Sequence, residues 1–346
     1  MTASQLNRRF LLAERPEGRA VRESDFHCDA APIPAPDDGQ VLLRTLYLSL
    51  DPYMRGRISA AKSYAPPVAL GDVMTGEVVA EVVSSRHSGF HAGDTVLARA
   101  GWQEYAALAA SEIELVDRQS LGDLPLSYLL GVLGMPGATA YFALLDIGQP
   151  KPGETVLISA AAGAVGQVAG QIAKLKGCRV IATAGAPDKL AFVKGELGFD
   201  AAVGYKGKER EDLAAELARL APQGIDIFFD NVGGVTHDAA MLNLALHARI
   251  IICGMISIYD RIEQPDIGIR WNRQLLVKRA LMRGFLVSDY RARWPEFRAA
   301  MTQWLKEGKI RYREDIVDGI ARAPKAFIGL LSGANRGKLL VRVAGR

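Results

Sequence analysis

The residues best suited to chemistry lie in Ser159-Ala160-Ala161-Ala162-Gly163-Ala164-Val165-Gly166, a run of small side chains. It directly follows residues 155–160 (TVLISA), a continuous apolar stretch of the kind buried on both faces of a parallel sheet. It opens a stretch, 163–176, in which Val165, Val168, Ala169, Ile172 and Leu175 recur at helical spacing before Gly177 stops it. Strand, glycine turn and helix in that order are the setting a dinucleotide fingerprint requires. Against G-x-G-x-x-G the run reads Ala161-x-Gly163-x-x-Gly166, with alanine in the first glycine's place. Gly163 lets the backbone approach a pyrophosphate, and Gly166 lets the helix pack close to the sheet. The pyrophosphate then rests on free N–H groups at the positive helix end. A ligand-free strand-to-helix turn is the plainer alternative, and the strand–helix alternation around it argues against that.

An NAD site usually carries Asp or Glu about 20 residues further on, where the second strand ends, to bind the ribose 2′-hydroxyl. Here that region reads Thr183-Ala184-Gly185-Ala186, and the first acid is Asp188, with Lys189 beside it. No carboxylate repels a 2′-phosphate, and Lys189 can supply a compensating charge. NADP(H) is therefore expected over NAD. Read alone, Lys189 is equally an exposed lysine in a first helical turn.

Metal chemistry finds little support in the sequence. Cys28, Cys178 and Cys253 are isolated, without a CxxC pair or ligand spacing to the five His, so neither a disulfide framework nor a multi-Cys zinc site is expected. The formal net charge of +4, from 42 Lys+Arg against 38 Asp+Glu, makes no field that calls for nucleic acid. The densest basic stretch, Arg270 to Arg283, is interleaved with leucines and reads as a solvated helix face. No run approaches 18 apolar residues, so no membrane span is expected, and Met1–Arg9 lacks the apolar core of a signal peptide. A cytoplasmic protein is the expectation.

The elements that must hold these residues fall into two textures. The 346 residues favour two domains, since one domain usually takes about 100–200. Residues 41–50, 73–83, 95–98, 102–108 and 113–116 read as short strands punctuated by Gly and Pro, the mark of a small β-rich domain. After about residue 130, strands 155–160, 179–184, 201–205, 225–230, 249–253 and 281–287 are expected to alternate with helices 163–176, 189–197, 209–220, 235–246 and 294–307. That alternation predicts a parallel sheet wound on both faces. Residues 338–343 (KLLVRV) form an alternating strand with no helix after it, placed to return to the first domain. The expected fold is α/β: a doubly wound sheet over 131–310, and a β-rich domain built from both chain ends, 1–130 and 311–346.

Further motifs carry a resemblance. Met135-Pro136-Gly137-x-Thr139-Ala140-Tyr141, Gly153-Glu154-Thr155-Val156, the turn at 160–166 and Gln171-Ile172-Ala173-Lys174-x-Lys176-Gly177-Cys178 resemble the medium-chain dehydrogenase/reductase superfamily. Leu50-Asp51-Pro52-Tyr53-Met54-Arg55, Asp230-Asn231-Val232-Gly233-Gly234 and Ala326-Phe327-Ile328-Gly329-Leu330 are similar to its prostaglandin reductase, or leukotriene B4 dehydrogenase-like, branch. Asn7-Arg8-Arg9-Phe10 and Arg15-Pro16 resemble the bacterial NADPH-dependent curcumin reductase subgroup. The likeness runs from about Asn7 to Val343. It implies a GroES-like domain, a Rossmann domain, and zinc-independent reduction of activated C=C bonds with NADPH.

Carried over by motif, the resemblance implies that Gly163, Ala164, Val165 and Gly166 hold the pyrophosphate and that Lys189 and Tyr205 contact the 2′-phosphate. Asn231 matches the family's cofactor-binding asparagine. Cys253, Gly254, Met255, Ile256, Ser257, Ile258 and Tyr259 match the loop along the cofactor, and Phe285, Leu286, Val287 and Asn335 match contacts on the nicotinamide side. Each has a structural alternative: a turn for Asn231 and Asn335, a strand-end aromatic for Tyr205, packing for Cys253. One departure is Gly185-Ala186, where the family has Gly-Ser, which removes a hydroxyl from the phosphate grip.

The reaction implied is conjugate reduction of an α,β-unsaturated ketone or aldehyde, with hydride reaching the β carbon and negative charge gathering on the carbonyl oxygen. Such an enolate needs donors aimed at that oxygen. Tyr259 is the candidate, since a phenol with its usual pKa of about 10 is a neutral donor at pH 7. Tyr53, Arg55 and Tyr64 are candidates to line the substrate, Arg55 by pairing with an anionic group or, structurally, by bridging to Asp51. Reduction of quinones and a non-catalytic cofactor-binding role stay open. A homodimer is expected through the strand near 281–287.

Overall fold

The strands form a two-stranded ribbon, a six-stranded sheet and a seven-stranded sheet. The computed structural model describes residues 6–344; residues 1–5 of the opening Met1–Arg9 stretch lie outside these, as do 345–346. The first half of the chain lays down β1 (Leu6–Leu12), β2 (Phe26–Pro32), β3 (Gln40–Ser49), β4 (Val78–Ser85), β5 (Thr95–Ala98), β6 (Tyr105–Ala109) and β7 (Ile113–Leu115). The second sheet takes β8 (Thr155–Ile158), β9 (Arg179–Ala184), β10 (Ala201–Gly204), β11 (Ile225–Asp230), β12 (Leu244–Ile252) and β13 (Leu281–Gly284). Then β14 (Glu314–Asp318) and β15 (Lys338–Arg342) return to the first sheet, whose order is β14-β15-β3-β4-β5-β7, with β6 also on β3.

The second sheet is parallel and ordered β10-β9-β8-β11-β12-β13. Strand order therefore reverses between β8 and β11, and ligands of such sheets bind beyond the strand ends at that switch point. All four residues of β8 are buried, as its unbroken apolar composition requires. The following helix, Gly166–Leu175, turns Val168, Ala169 and Ile172 into the core, all fully buried. It ends at Gly177, whose φ of +79° suits glycine. Pro187 starts the next helix, Pro187–Gly195, where its missing N–H costs nothing.

The two chain ends are fastened by aromatic packing. Phe26 stacks on the fully buried Trp102 at 5.1 Å between centroids, and Phe327 meets the same indole edge-on at 5.6 Å. Asp51 pairs with Lys338 at 2.7 Å, both buried, tying the end of β3 to β15.

Several expectations need correction. The first helix of the parallel sheet begins at Gly166, not 163, because residues 160–165 are consumed by the turn. The helix expected over 235–246 ends at Met241, and residues 244–248 belong to β12, where Leu244 pairs with Ile225. β13 stops at Gly284, so Phe285, Leu286 and Val287 follow the strand. The hairpin of β1 and β2 was not read from the sequence at all.

Candidate active site

The turn after β8 is held from several sides. Ala160 adopts φ +47°, and the Gly163 N–H donates back to its carbonyl at 2.9 Å. A Cβ added at Gly166 would lie 2.5 Å from the Ala160 oxygen and 2.7 Å from the Ala161 Cα, so only glycine lets the helix start this close to the turn. Gly163 also bridges to Gly337, which brings the stretch before β15 over the turn.

A buried polar network, unread in the sequence, supports the turn. Ser159 Oγ donates to Asp230 Oδ1 at 2.9 Å, and the same carboxylate oxygen accepts from the Val232 and Gly233 N–H groups at 2.9 and 3.0 Å. His237 Nδ1 lies 2.9 Å from Asp230 Oδ2. Asn231 donates through its N–H to Ser159 Oγ and through Nδ2 to the Ser159 carbonyl, both at 2.7 Å. Asn231 thus locks the ends of β8 and β11 together, a structural task alongside any ligand contact. The Ser159 and Asp230 positions at paired strand ends were the available signal.

At the end of β9, Thr183 and Ala184 are buried, and Gly185 and Ala186 are partly exposed. Lys189 Nζ donates to the Gly333 carbonyl at 2.8 Å, and Asn335 Nδ2 donates to that of Gly337 at 2.6 Å. Burial raises the Tyr205 pKa above its ordinary value, so its hydroxyl is a neutral donor. These residues fit a dinucleotide carrying a 2′-phosphate: the turn closes on glycine, and Ala184–Ala186 present no carboxylate.

The strand end of β12 carries the loop 253–259. Its backbone is pinned to the neighbouring strand end, with Cys253 N–H and Gly254 N–H donating to the Asp230 carbonyl at 2.8 and 3.0 Å and Ser257 N–H to that of Val232 at 3.1 Å. Ile256 N–H donates to the Asn231 carbonyl at 3.4 Å, while Met255 is exposed and Ile258 buried. Tyr259 lies in the short turn Ile256–Arg261. Burial first, then the nearby Tyr64 and Cys253, push its phenol up to about 12, against a hydrogen bond with the Met255 backbone. Burial and the Asp230 charge push the Cys253 thiol up to about 12 as well, which leaves it a poor nucleophile.

Of the residues expected on the substrate side, Tyr64 is 63% exposed, and burial raises its phenol above its ordinary value, so it too is neutral. Tyr53 packs on the first-domain core, its pKa raised by burial and by Asp51 and Glu77. Arg55 corrects the expectation. It is fully buried, with Nη1 3.2 Å from Glu263 Oε1 and Nη2 donating to the Pro16 carbonyl at 2.9 Å. The Asp51–Arg55 bridge is not formed either, since Asp51 belongs to Lys338. Phe285 points into the core against Tyr290, which stacks on Phe142, while Leu286 is exposed. A groove of about 590 Å³ between Ser120 and the helix Trp294–Lys306 contains none of these residues. Among the described residues no three His, Cys, Asp or Glu converge as a metal site, and no helix is long and apolar enough to cross a membrane.

The chain resembles known proteins over nearly its whole length. Residues 8–116 match a model described as the N-terminal domain of oxidoreductase, and residues 164–306 match one described as zinc-binding dehydrogenase. NADPH-dependent curcumin reductase of Escherichia coli K12 is 48% identical over 99% of this chain and 98% of its own length. An NADP(+)-dependent 2-alkenal reductase of Nicotiana tabacum is 44% identical over 88% of this chain and 87% of its own. The crystal structure of CurA from Vibrio vulnificus in complex with NADPH superposes with a TM-score of 0.91 at 50% identity, covering 98% of this chain and 100% of that one. The chain belongs to the medium-chain dehydrogenase/reductase family. It is an NADPH-dependent reductase of that family.

Proposed function

We propose that this reductase saturates the C=C bond of α,β-unsaturated ketones and aldehydes without zinc, and that Tyr259 is its catalytic residue. The observation that carries this reading is the partly buried Tyr259 phenol in the short turn that follows β12, which burial pushes up to about 12 and so keeps a neutral donor. The names of the relatives, a curcumin reductase and a 2-alkenal reductase, point to the same bond.

When bound, NADPH supplies the hydride. The turn Gly163–Gly166 takes its pyrophosphate, Lys189 and Tyr205 its 2′-phosphate, and Asn231, residues 253–259, residues 285–287 and Asn335 its nicotinamide half. As the β carbon takes the hydride, charge moves to the substrate's carbonyl oxygen, where the Tyr259 hydroxyl donates to it, and the α carbon then takes a proton from water to give the saturated carbonyl. A preorganised donor in a dry site stabilises such charge far more than water does. Tyr53 and Tyr64 form aromatic walls for a flat conjugated substrate. Arg55 has no part in binding it.

The same reading takes residues 1–130 with 311–346 as the substrate-side domain and 131–310 as the cofactor domain. It places the protein in the cytoplasm as a homodimer paired through β13, an outer strand of the parallel sheet with Leu281 52% exposed. Light scattering at micromolar protein tests the dimer. The function is tested by following NADPH loss with an enone and, separately, with a quinone. Loss with the enone and a saturated carbonyl product support the proposal, and turnover of quinone alone contradicts it.

A further inference from the structure

Beyond the Lys189 and Tyr205 contacts, the end of β9 carries a denser cationic cluster. Gly185 has no side chain, and a Cβ there would sit 2.9 Å from Lys206 Cε and 3.3 Å from the Tyr205 hydroxyl. Lys206 and Tyr205 therefore both lie over the turn where the 2′ edge of the ribose belongs. Lys206 Nζ lies 3.5 Å from the Ser332 carbonyl, and Lys189 Nζ donates to that of Gly333. From the same 332–337 stretch Arg336 reaches back, its Nε 2.8 Å from Asp188 Oδ2, while its N–H donates to Asp315 at 3.0 Å. A small recess here is lined by Asp188, Lys189, Arg313 and Arg336 among others. Three cations thus converge from two sheets on one turn, and among the described residues the ammonium groups of Lys189 and Lys206 find backbone carbonyls as their hydrogen-bond partners.

We propose that Lys206 and Arg336 complete the 2′-phosphate site, and that Arg336 sets the preference for NADPH over NADH. The proposal rests on reading the 160–166 turn and the end of β9 as the cofactor site.

The charge balance favours this role. A phosphomonoester carries about −1.5 to −2 at pH 7. Burial lowers the Lys189 pKa, Asp188 and Asp315 oppose that, and Lys206 and Arg336 add to it, so an anion placed among them relieves the crowding. A guanidinium can grip a phosphate with two parallel N–H groups while its remaining nitrogen keeps the Asp188 contact. Because Arg336 and Lys206 are exposed, their pull is screened by salt.

The test is binding, not turnover. Dissociation constants of the full-length protein are measured by calorimetry for NADPH, NADH, adenosine 2′,5′-bisphosphate and AMP, at low and high salt, with Arg336→Ala, Arg336→Lys and Lys206→Ala. Arg336→Ala is expected to weaken NADPH and the bisphosphate by about tenfold and to leave NADH and AMP within twofold. Arg336→Lys recovers part of the loss, and the wild-type preference shrinks with salt. Equal weakening of NADPH and NADH, or no change in either, overturns the proposal. Failure of the wild type to prefer the bisphosphate over AMP overturns instead the placement of the cofactor site beneath it.

Discussion

The Arg55 guanidinium lies 3.2 Å from the Glu263 carboxylate, and this contact joins the turn after β3 to the segment that follows Tyr259. Arg55 is fully buried and its Nε finds no partner among the described residues, so Glu263 and the Pro16 carbonyl must satisfy it. The Gly18 N–H also donates to Glu263, at 3.4 Å. The pair latches together three segments that are far apart in sequence.

Breaking the latch strands a buried charge, which is far costlier than losing a surface pair. Glu263→Gln is expected to lower stability by about 2 kcal/mol, read as a fall in Tm of several degrees by calorimetry. Burial opposes ionisation of Glu263, but hydrogen bonds from Ser59 and Arg55 outweigh it and hold the carboxyl below its ordinary value. A depressed carboxyl stabilises the fold above its unfolded pKa of about 4.3 and loses that contribution as pH falls through the folded value. The wild type should lose its advantage over Glu263→Gln as acid is added below about pH 4.

Tyr259→Phe removes only the donor. It is expected to lower kcat for an enone by about 100-fold, with a far smaller loss of NADPH affinity because the rest of the loop still contacts the cofactor, as stopped-flow turnover and calorimetry can read. With the phenol at about 12, the wild-type donor stays protonated, and kcat should not fall through loss of this proton between pH 6 and 9. The raised value favours the protonated fold, so Tyr259 costs stability only as pH climbs from about 10 toward 12.

Gly166→Ala tests the turn. Its Cβ would meet the Ala160 carbonyl at 2.5 Å, inside any tolerable contact, and both atoms are backbone-fixed. NADPH affinity is expected to fall by more than about tenfold, with NADH falling equally, because the pyrophosphate is common to both.

Cysteine labelling separates packing from reactivity. Cys28 is exposed, and Cys178 is pushed up to about 11 and Cys253 to about 12, chiefly by burial. Iodoacetamide at pH 8 should therefore label Cys28 first, and Cys253→Ala should keep the wild-type kcat within about threefold. Mass spectrometry of the labelled protein reads the order.

The parallel sheet was legible because short, largely apolar strands such as β8 alternate with stretches of helical spacing. β1 was not, since Arg8 and Arg9 interrupt a half-buried pattern that pairing with β2 alone explains. Residues 244–248, Leu-Ala-Leu-His-Ala, have helix-forming composition, and the parallel pairing with β11 overrides it. The glycine turn and the missing acid after β9 could be read locally. The fate of Arg55 could not, because Glu263 is 208 residues away in sequence. Nor could the 332–337 stretch be seen closing over Lys189.

The central claim is that hydride reaches the β carbon of the conjugated C=C bond, not the carbonyl carbon. An open-chain aryl enone reduced with NADPH deuterated at the transferring position, followed by deuterium NMR of the product, tests it most directly. A saturated ketone with deuterium on the β carbon is the expected result. Deuterium on a carbinol carbon, with the C=C bond intact, would contradict it.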